Sequence, residues 1–459
     1  MSTAAFTHPS SYRDPSGFIF EKEGVLYRQV NKIFKEDFDS FIQSGLYEHL
    51  VEKGLLISHQ VVPGNLTGSP DHYLTLLPEK IAFISYVYEW SSEMFRDAAL
   101  LTLQLVKEAV SFGLMLKDAT PYNIQWHKGK LIFIDSLSFE KYNETEPWIA
   151  YRQFCESFLG PLLLMHYSKM PLQQLQLAYP DGIPLAIIKS LLPKRSRFSL
   201  YTYLHIHLHA GIAAKKNNAA KNKAAFSKHK LLNLVNSLES LVKQLKLPQL
   251  QSAWSEYYEE AAQRDDYLEG KRAVINNWVN QLNDIKTVVD LGANEGKFSE
   301  LLAAKNIDIT AVDADPLCID NLYRKIKSSG IKKIQPLIID LAHPSPSIGV
   351  NNEERDSFSK RCKADLTLAL ALIHHLAIGK NIPFEKIAGL FSKMAPMLII
   401  EFIPMQDNKI QMMLNSKKDI YAGYNEQNFL AAFEKNFTII ERKEINTTNR
   451  ILFLMKKKP

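Results

Sequence analysis

The chain contains little cysteine and no long apolar run. Its three cysteines, Cys155, Cys318 and Cys362, lie far apart in 459 residues and show neither paired nor metal-ligand spacing. We therefore expect buried thiols in a reducing compartment. No apolar stretch approaches the roughly 20 residues that a membrane-spanning helix needs. Residues 1–17 also lack the basic segment and apolar stretch of a secretory signal. These absences predict a cytoplasmic protein without a membrane partner.

The composition is that of an ordinary globular protein, with 46% apolar and 23% charged residues. A chain of 459 residues exceeds the size of a single core, which predicts two or three domains. The net charge of +6 is unevenly spread, because residues 215–230 contain six lysines and no acid. This lysine strip is either a solvated linker or helix face, or a contact for phosphates of nucleic acid or of an anionic substrate. Since no arginine is interleaved with the lysines, the indication of nucleic-acid binding is weak.

The hydrophobic pattern divides the chain into three regions. Residues 1–146 combine strand-like runs (17–30, 80–90 and 130–139) with helix-like stretches (41–56 and 97–113). Residues 147–254 are mainly helical and predict a helical extension that ends in the lysine-rich linker. From residue 255 to residue 459, strands and helices alternate. We expect an α+β domain, a helical connector and an α/β domain in that order.

The third region predicts a doubly wound parallel sheet. Its first five strands are continuously apolar, as strands covered by helices on both faces should be. The last two strands are separated only by a short turn, which predicts an antiparallel hairpin at one edge. The seven predicted strands cover residues 286–292, 308–315, 334–341, 364–372, 397–403, 437–445 and 451–457.

Ligands of such sheets bind at the carboxyl ends of the strands, where the strand order reverses. The first strand ends in a turn that contains Gly292 and Gly296. Asn294 stands where a dinucleotide fingerprint would have its middle glycine, and Asp290 and Glu295 flank the turn. Since carboxylates would repel a pyrophosphate, the turn suits a cationic ligand that carries an ammonium and a sulfonium group.

The next two strands end in further acids. Asp313 can accept both hydroxyls of a ribose, and Asp340 can accept from an adenine amino group. The sequence therefore provides acids for an amino acid, a ribose and a base at three successive strand ends. The alternative is that these acids only cap strands and helices.

With these features the region resembles class I S-adenosylmethionine-dependent methyltransferases. The matching segments are D-L-G-A-N-E-G (290–296), I-D-L (339–341) and A-L-A-L-I-H-H-L (369–376), together with the acid at the end of the second strand and the terminal hairpin. The resemblance implies a seven-stranded Rossmann-like sheet that binds S-adenosylmethionine. It assigns the methionine end to Asp290, Gly292 and Gly296, the ribose to Asp313 and the adenine to Asp340. It also implies that Asn294, Leu341 and Ala369 bind the cofactor.

Methyl transfer needs an aligned nucleophile, and a base where that nucleophile carries a proton. His374 and His375 follow the fourth strand and either supply the base or pack structurally. Glu401, at the end of the fifth strand, either contacts the substrate or is a capped carboxylate. The sequence does not name the acceptor. Because the tetrad of DNA amino-methyltransferases is absent, we expect a small molecule or a protein rather than DNA.

The long connection at residues 342–364 suggests a functional loop. Its Glu354, Arg355 and Arg361 either bind an anionic substrate group or form surface ion pairs.

The first region resembles aminoglycoside-phosphotransferase-like members of the protein-kinase fold. Asp118 precedes Asn123 by five residues and Asp135 ends a short strand, which is the spacing of a kinase catalytic loop and its metal-binding acid. That resemblance implies an Mg-ATP site in which Asp118 is the base. Leu116 stands in place of the usual histidine, and among basic residues of the first strand pair only Lys22 and Arg28 could replace the strand lysine. A degenerate binding module and a purely structural loop are the alternatives.

The whole arrangement is also similar to a poorly characterised bacterial family of nodulation-related methyltransferases with an N-terminal extension. Three functions remain open from the sequence. They are a methyltransferase whose first region recognises a substrate or partner, a bifunctional enzyme with phosphotransfer in its first region, and a cofactor-binding protein without catalysis.

Overall fold

A computed structural model describes residues 6–209, 227–248, 265–414, 423–445 and 448–459. The chain separates into two compact units. The first comprises Met1–Leu250 with Gly349–Glu354, and the second comprises Gln251–Ile348 with Arg355–Pro459. Residues 147–250, which the sequence sets apart as a helical region, therefore share a unit with residues 1–146. In the described part of the chain, no helix has the length and apolarity to cross a membrane.

The first unit contains a five-stranded antiparallel sheet in the order β1-β2-β3-β5-β4, and two small antiparallel pairs, β6 with β9 and β7 with β8. Its strands are β1 (Phe6–Thr7), β2 (Gly17–Lys22), β3 (Val25–Asn31), β4 (His59–Val62), β5 (His72–Pro78), β6 (Leu114–Leu116), β7 (Ile124–His127), β8 (Lys130–Phe133) and β9 (Phe139–Lys141). The sequence predicts the pair β2–β3 and the strand β8, but it does not reveal β4 to β7.

The longest helix of the first unit, Ser92–Ser111, is buried along most of its length, and its N-cap Ser91 accepts a hydrogen bond from the Met94 amide at 3.2 Å. The α-helices are α1 (Lys35–Gln43), α2 (Leu46–Glu52), α3 (Ser92–Ser111), α4 (Tyr151–Phe154), α5 (Gly160–Ser168), α6 (Leu175–Ala178), α7 (Leu185–Leu191), α8 (Leu200–Thr202) and α9 (Lys228–Gln244). Short 3₁₀ or π turns occupy Lys32–Phe34, Val87–Glu89, Pro121–Asn123, Cys155–Leu159, Lys194–Phe198, Tyr203–Leu208 and Val350–Asn352.

The strand predicted at residues 80–90 is wrong. The segment is irregular and ends in the turn Val87–Glu89, and its apolar side chains are buried only from Tyr86 onward, since Ile84 is 38% exposed. Side chains rather than a neighbouring strand bind its backbone. Gln125 accepts from the Ser85 amide at 2.9 Å and donates to the Ser85 carbonyl at 3.0 Å, and Glu89 accepts from the Tyr86 amide at 2.9 Å. An apolar run can therefore be buried without forming a strand when polar side chains satisfy its backbone.

The second unit is built on one seven-stranded sheet in the order β12-β11-β10-β13-β14-β16-β15. The strands β10 to β14 are parallel, and β16 is antiparallel to both of its neighbours, β14 and β15. Its strands are β10 (Thr287–Leu291), β11 (Asp308–Asp313), β12 (Ile334–Ile338), β13 (Leu366–Ala369), β14 (Met397–Phe402), β15 (Phe437–Glu444) and β16 (Ile451–Lys457).

The order reverses between β10 and β13, because the chain builds outward from β10 to β12 and then returns to build in the opposite direction. Since crossovers between parallel strands are right-handed, helices on the two sides of this point cover opposite faces of the sheet. This is the doubly wound arrangement, and it explains why β12 and β13 are buried at every residue. The helices are α10 (Asp265–Gln281), α11 (Lys297–Ala303), α12 (Pro316–Ser329), α13 (Phe358–Arg361), α14 (Phe384–Phe391), α15 (Asn408–Leu414) and α16 (Glu426–Phe433), with a π turn at His375–Gly379.

Candidate functional site

The turn after β10 brings its backbone close to β11. The amides of Gly292 and Ala293 both donate to the Val312 carbonyl, at 2.9 and 3.0 Å. Gly292 and Gly296 have φ of +72° and +78°, in the left-handed region that favours glycine. A Cβ at Gly296 would lie 2.6 Å from the Leu322 side chain. Glycine is therefore needed at the start of α11, because a side chain there would collide with α12.

Asp290 lies at the carboxyl end of β10 and is only 2% exposed. The Ser299 hydroxyl donates to its Oδ2 at 2.7 Å. Burial raises the pKa of Asp290 to about 6, against the opposing effects of Ser299 and of the Lys271 charge. An acid that titrates close to neutral pH in a buried position is stabilised as an anion by a nearby cation.

Asp313 ends β11 and is tied to the glycine turn. Its Oδ2 accepts from the Asn294 amide at 2.8 Å, and its Oδ1 accepts from the Asp315 amide at 2.9 Å. Burial raises the pKa of Asp313, and these backbone donors oppose the rise. Asp315 is the N-cap of α12 and accepts from the Leu317 amide at 2.9 Å. The two neighbouring acids thus differ, since only Asp315 caps a helix.

Asp340 follows β12 and is partly exposed. Its Oδ1 accepts from the Ala342 amide at 2.9 Å, and its Oδ2 pairs with Lys380 at 3.2 Å. Leu341, the next residue in the sequence, is buried, and so is Ala369 at the end of β13. The structure therefore places all three predicted acids at the carboxyl ends of β10, β11 and β12, which are adjacent strands.

Glu401 ends β14 and is fully buried. Tyr267 donates to its Oε1 at 2.5 Å, and Lys271 donates to its Oε2 at 2.5 Å. The Ala371 amide also donates to Oε2, at 2.8 Å, and Ala371 has φ of +50°, which is uncommon for a residue with a side chain. Glu401 is 0% exposed and its partners lie inside the protein, which favours the interpretation of Glu401 as a capped carboxylate.

The Glu401 contacts belong to a larger buried network. Arg450 donates to the Tyr267 hydroxyl at 2.8 Å and to Asp407 at 2.9 Å. Although burial would raise the pKa of Glu401, the charges of Lys271 and Arg450 hold it below its ordinary value. This network, hereafter the Glu401 network, connects α10, the segment after β13 and the segment before β16.

His374 and His375 follow β13 with their ring centroids 3.9 Å apart. Burial lowers the pKa of His374 well below its ordinary value, and the neighbouring His375 lowers it further. Burial and Arg450 lower the pKa of His375 to about 4. Both rings are therefore neutral at pH 7. The Nδ1 of His374 is buried and finds no hydrogen-bond partner among the described residues.

The connection at residues 342–364 does not remain in one unit. Residues Gly349–Glu354 belong to the first unit, where Arg13 donates to Glu354 at 2.8 Å and Tyr12 donates to the same carboxylate. Arg361 donates to the Asp356 carbonyl at 2.9 Å in the second unit. These contacts favour the interpretation of Glu354 and Arg361 as structural.

The structure brings together the three residues predicted for Mg-ATP in the first unit. Asn123 donates to Asp118 at 3.1 Å, Gln153 donates to Asp118 at 2.6 Å, and Arg28 forms an ion pair with Asp135. Although burial would raise the pKa of Asp135, the Arg28 guanidinium holds it below its ordinary value.

These residues do not fit a metal site as they stand. Within the described ranges, no group of three histidine, cysteine or acidic residues is arranged to hold a metal ion. The cation that faces Asp135 is the guanidinium of Arg28, and the Ser138 hydroxyl donates to its other oxygen. Arg28 therefore neutralises Asp135, whereas Asp118 is bound by the amide donors of Asn123 and Gln153, and we derive no phosphotransfer step from the cluster.

Sequence reasoning missed four members of the Glu401 network, which are Tyr267, Lys271, Asp407 and Arg450. Tyr267 and Lys271 are four residues apart on α10 and so share one helix face. That spacing was the only available signal, because Lys271 and Glu401 are separated by 130 residues in the sequence. The lysine strip lies outside the described residues as far as residue 226, and Lys228 and Lys230 begin α9.

Comparison with known proteins gives one curated relative along nearly the whole chain. No family model matches the chain. The nodulation protein NoeA of Rhizobium meliloti (strain 1021) is 32% identical over 464 residues, which cover 96% of this chain and 94% of that protein.

Solved structures of S-adenosylmethionine-dependent methyltransferases are similar over a smaller part. Magnesium protoporphyrin IX methyltransferase (ChlM) from Synechocystis PCC 6803 with bound SAH is 16% identical and covers 42% of this chain and 86% of its own, with a TM-score of 0.31. N-methyltransferase NodS from Bradyrhizobium japonicum WM9 is 12% identical and covers 42% of this chain and 98% of its own, with a TM-score of 0.32. Both TM-scores are low, so the function has to follow from the residues of this chain. Its identity to NoeA along almost the full length shows that the chain belongs to the NoeA family of nodulation proteins.

Proposed function

We propose that the second unit binds S-adenosylmethionine and transfers its methyl group to an acceptor. The observation that carries this proposal is the set of acids at the carboxyl ends of adjacent strands, Asp290, Asp313 and Asp340, around the glycine turn at which the strand order reverses. These carboxylates match the cationic and hydrogen-bond-donating groups of the cofactor. A buried carboxylate suits the cationic methionine end, a second suits the ribose hydroxyls, and a third suits the adenine amino group.

When bound, the cofactor would supply an activated methyl group, and the chain would position the acceptor and exclude water. The neutral ring of His374 suits the acceptor side, because its Nδ1 is buried and has no partner in the part of the chain that the structure describes. A buried polar atom that lacks a hydrogen bond is costly, and an acceptor hydroxyl or amine that bonds to it relieves that cost. We propose that the Nδ1 of neutral His374 accepts a hydrogen bond from the acceptor and orients it toward the methyl group, and that the neighbouring His375 ring holds His374 in place.

Glu401 is proposed as a positioning residue. Its bond to the Ala371 amide holds a backbone conformation that is otherwise rare, and this conformation sets the direction of the segment that carries His374. The cofactor site and this segment are adjacent, because β10 and β13 are paired. We further propose that the acceptor is a small molecule or a protein rather than DNA.

Isothermal titration calorimetry with S-adenosylmethionine, S-adenosylhomocysteine and Mg-ATP tests the proposal. We expect binding of both adenosyl ligands and none of Mg-ATP. Incubation with S-adenosylmethionine and a panel of hydroxyl and amine acceptors should then form S-adenosylhomocysteine, measured by mass spectrometry. Absence of adenosyl-ligand binding would overturn the proposed site, whereas binding without turnover on any acceptor would favour a cofactor sensor.

Replacing Asp313 should weaken cofactor binding strongly. A hydrogen bond to a charged acceptor contributes about 1.5–3 kcal/mol, so Asp313→Ala should raise the Kd for S-adenosylhomocysteine by roughly 10- to 150-fold. The matched control is Asp308→Ala, since Asp308 begins the same strand and forms a surface pair with Lys333. The control should bind as the parent does. An unchanged Kd for Asp313→Ala would show that the ribose lies elsewhere.

Cofactor affinity should depend on pH through Asp290. Burial raises the pKa of this carboxyl to about 6, so it is largely protonated below that pH and ionised above it. Because a cationic ligand binds the ionised form, affinity should rise as the pH increases and level off above the pKa. Below the pKa the Kd should increase about tenfold per pH unit. In Asp290→Asn this dependence should disappear, and calorimetry across the pH range measures both proteins. A parent profile that is flat through this range would contradict the assignment.

A further inference from the structure

One long segment of the first unit contains no acidic residue. Between Asp181 and Glu239 there is neither aspartate nor glutamate, although the whole chain has 49 acids. The segment contains ten basic residues, which are Lys189, Lys194, Arg195, Arg197, Lys215, Lys216, Lys221, Lys223, Lys228 and Lys230. Its positive charge is therefore uncompensated within the segment, and it extends well beyond the lysine strip.

The same segment exposes large apolar side chains. These side chains lie at the end of α7, on the turn Lys194–Phe198, in α8 and on the turn Tyr203–Leu208. They form what we call the apolar face, composed of Leu191, Phe198, Leu200, Tyr203, Leu204 and Leu208. Phe198 is 91% exposed and Leu200 is 66% exposed. A short stretch thus contains a third of the exposed large apolar residues that the structure describes, 6 of 18.

The opposite side of these turns is anchored in the protein. His207 bonds to the Ser196 hydroxyl at 2.8 Å, and His205 bonds to Tyr151 at 2.8 Å and to Ser237 at 3.0 Å. Ile206 is fully buried. Because the inner side is fixed by these contacts, the outward direction of the apolar face is fixed as well. A helix that is apolar on both its inner and outer sides is normally covered on both.

Basic side chains flank the apolar face. Lys194, Arg195 and Arg197 are exposed between α7 and α8. The Arg195 guanidinium lies over the Tyr167 ring, 5.7 Å from its centroid. Lys194 and Arg197 are therefore the cations that are available to a negatively charged partner. Apolar side chains bordered by lysine and arginine, without nearby acids in the segment, match a surface that is apolar inside and anionic outside.

We propose that the apolar face binds the surface of an anionic phospholipid bilayer, with Phe198 and Leu200 inserted among the acyl chains and Lys194 and Arg197 against the headgroups. A second copy of the chain is a poorer occupant, because a two-fold interface would bring the uncompensated positive charges together. Nucleic acid is also poorer, since leucine side chains have no counterpart on a phosphate backbone. This inference is independent of the proposed methyl transfer.

Sedimentation of the full chain with lipid vesicles tests the proposal. We expect binding to vesicles of phosphatidylcholine with phosphatidylglycerol, weaker binding to phosphatidylcholine alone, and weakening by salt. Phe198→Ser with Leu200→Ser should lower the partition coefficient by about tenfold or more, because two apolar side chains lose their burial. Arg197→Gln should lower it by roughly fivefold, as expected for one headgroup contact.

Val61→Ser is the matched apolar control, since Val61 is 59% exposed on β4 and is not part of the apolar face. It should bind vesicles as the parent does, and circular dichroism should show all variants folded. Equal binding to both kinds of vesicle, or binding unaffected by the Phe198 and Leu200 changes, would overturn the proposal. It would also be overturned if those changes converted a dimer into a monomer in light scattering, or abolished RNA binding, while the parent ignored vesicles.

Discussion

Lys271→Met should destabilise the second unit by about 3–5 kcal/mol, the usual cost of removing one partner from a buried ion pair. Lys271 is 3% exposed and Glu401 is fully buried, so water cannot replace the lost ammonium group. The remaining cation, Arg450, lies 3.9 Å from the nearer carboxylate oxygen and is already bonded to Asp407. The carboxylate would therefore stay only partly compensated. Hydrogen exchange of peptides from α10 and β14 measures the change, because it reports this unit separately from the first.

Two further variants show whether the charge itself is responsible. Adding Glu401→Gln to Lys271→Met removes the buried anion and should recover part of the lost stability. Lys325→Met is the surface control, since its pair with Glu300 leaves Lys325 47% exposed and should contribute at most about 1 kcal/mol. If the single Lys271 variant cost no more than this control, the Glu401 network would not be what holds α10 against the sheet.

The strands of the second unit could be predicted because their signal is local. Each of β10 to β14 is a short apolar run that is followed by a helix, and burial on both faces demands such composition wherever the strand lies in the sheet. The same reasoning failed at residues 80–90. That segment is as apolar as a strand, but its backbone bonds go to Gln125 and Glu89, which no local pattern reveals.

The candidate site also contains residues that the sequence could predict and residues that it could not. Asp290, Asp313 and Asp340 could be found because each follows its own strand, and the sheet then brings the strand ends together. The environment of Glu401 could not be found, because its partners come from α10 and from a residue just before β16. A carboxylate at a strand end looks the same in sequence whether it faces a ligand or a buried lysine.

In the first unit, Asp135 of the predicted Mg-ATP site also faces either a ligand or a cation of the protein. Removal of that cation, Arg28, should strongly lower the stability of the unit. Arg28→Met should destabilise the first unit by about 3–5 kcal/mol, since Asp135 would keep its charge without its partner. Arg28 and Asp135 side chains are only 16% and 13% exposed. Lys35→Met is the control, because Lys35 is 53% exposed in its pair with Asp39. Hydrogen exchange of peptides from β3 and β8 measures both variants.

The parent protein supplies the second half of this test. The double variant Asp135→Asn with Arg28→Met removes the buried charge, so much of the stability lost in Arg28→Met should return. With Arg28 in place as the counter-ion of Asp135, Mg-ATP should leave the melting temperature of the parent unchanged, since a ligand stabilises only a state that binds it. A rise in the parent melting temperature with Mg-ATP would mean that Arg28 yields Asp135 to a metal ion. The cluster would then be a nucleotide site. An unchanged melting temperature would instead favour a structural role, in which Arg28 is the permanent counter-ion of Asp135.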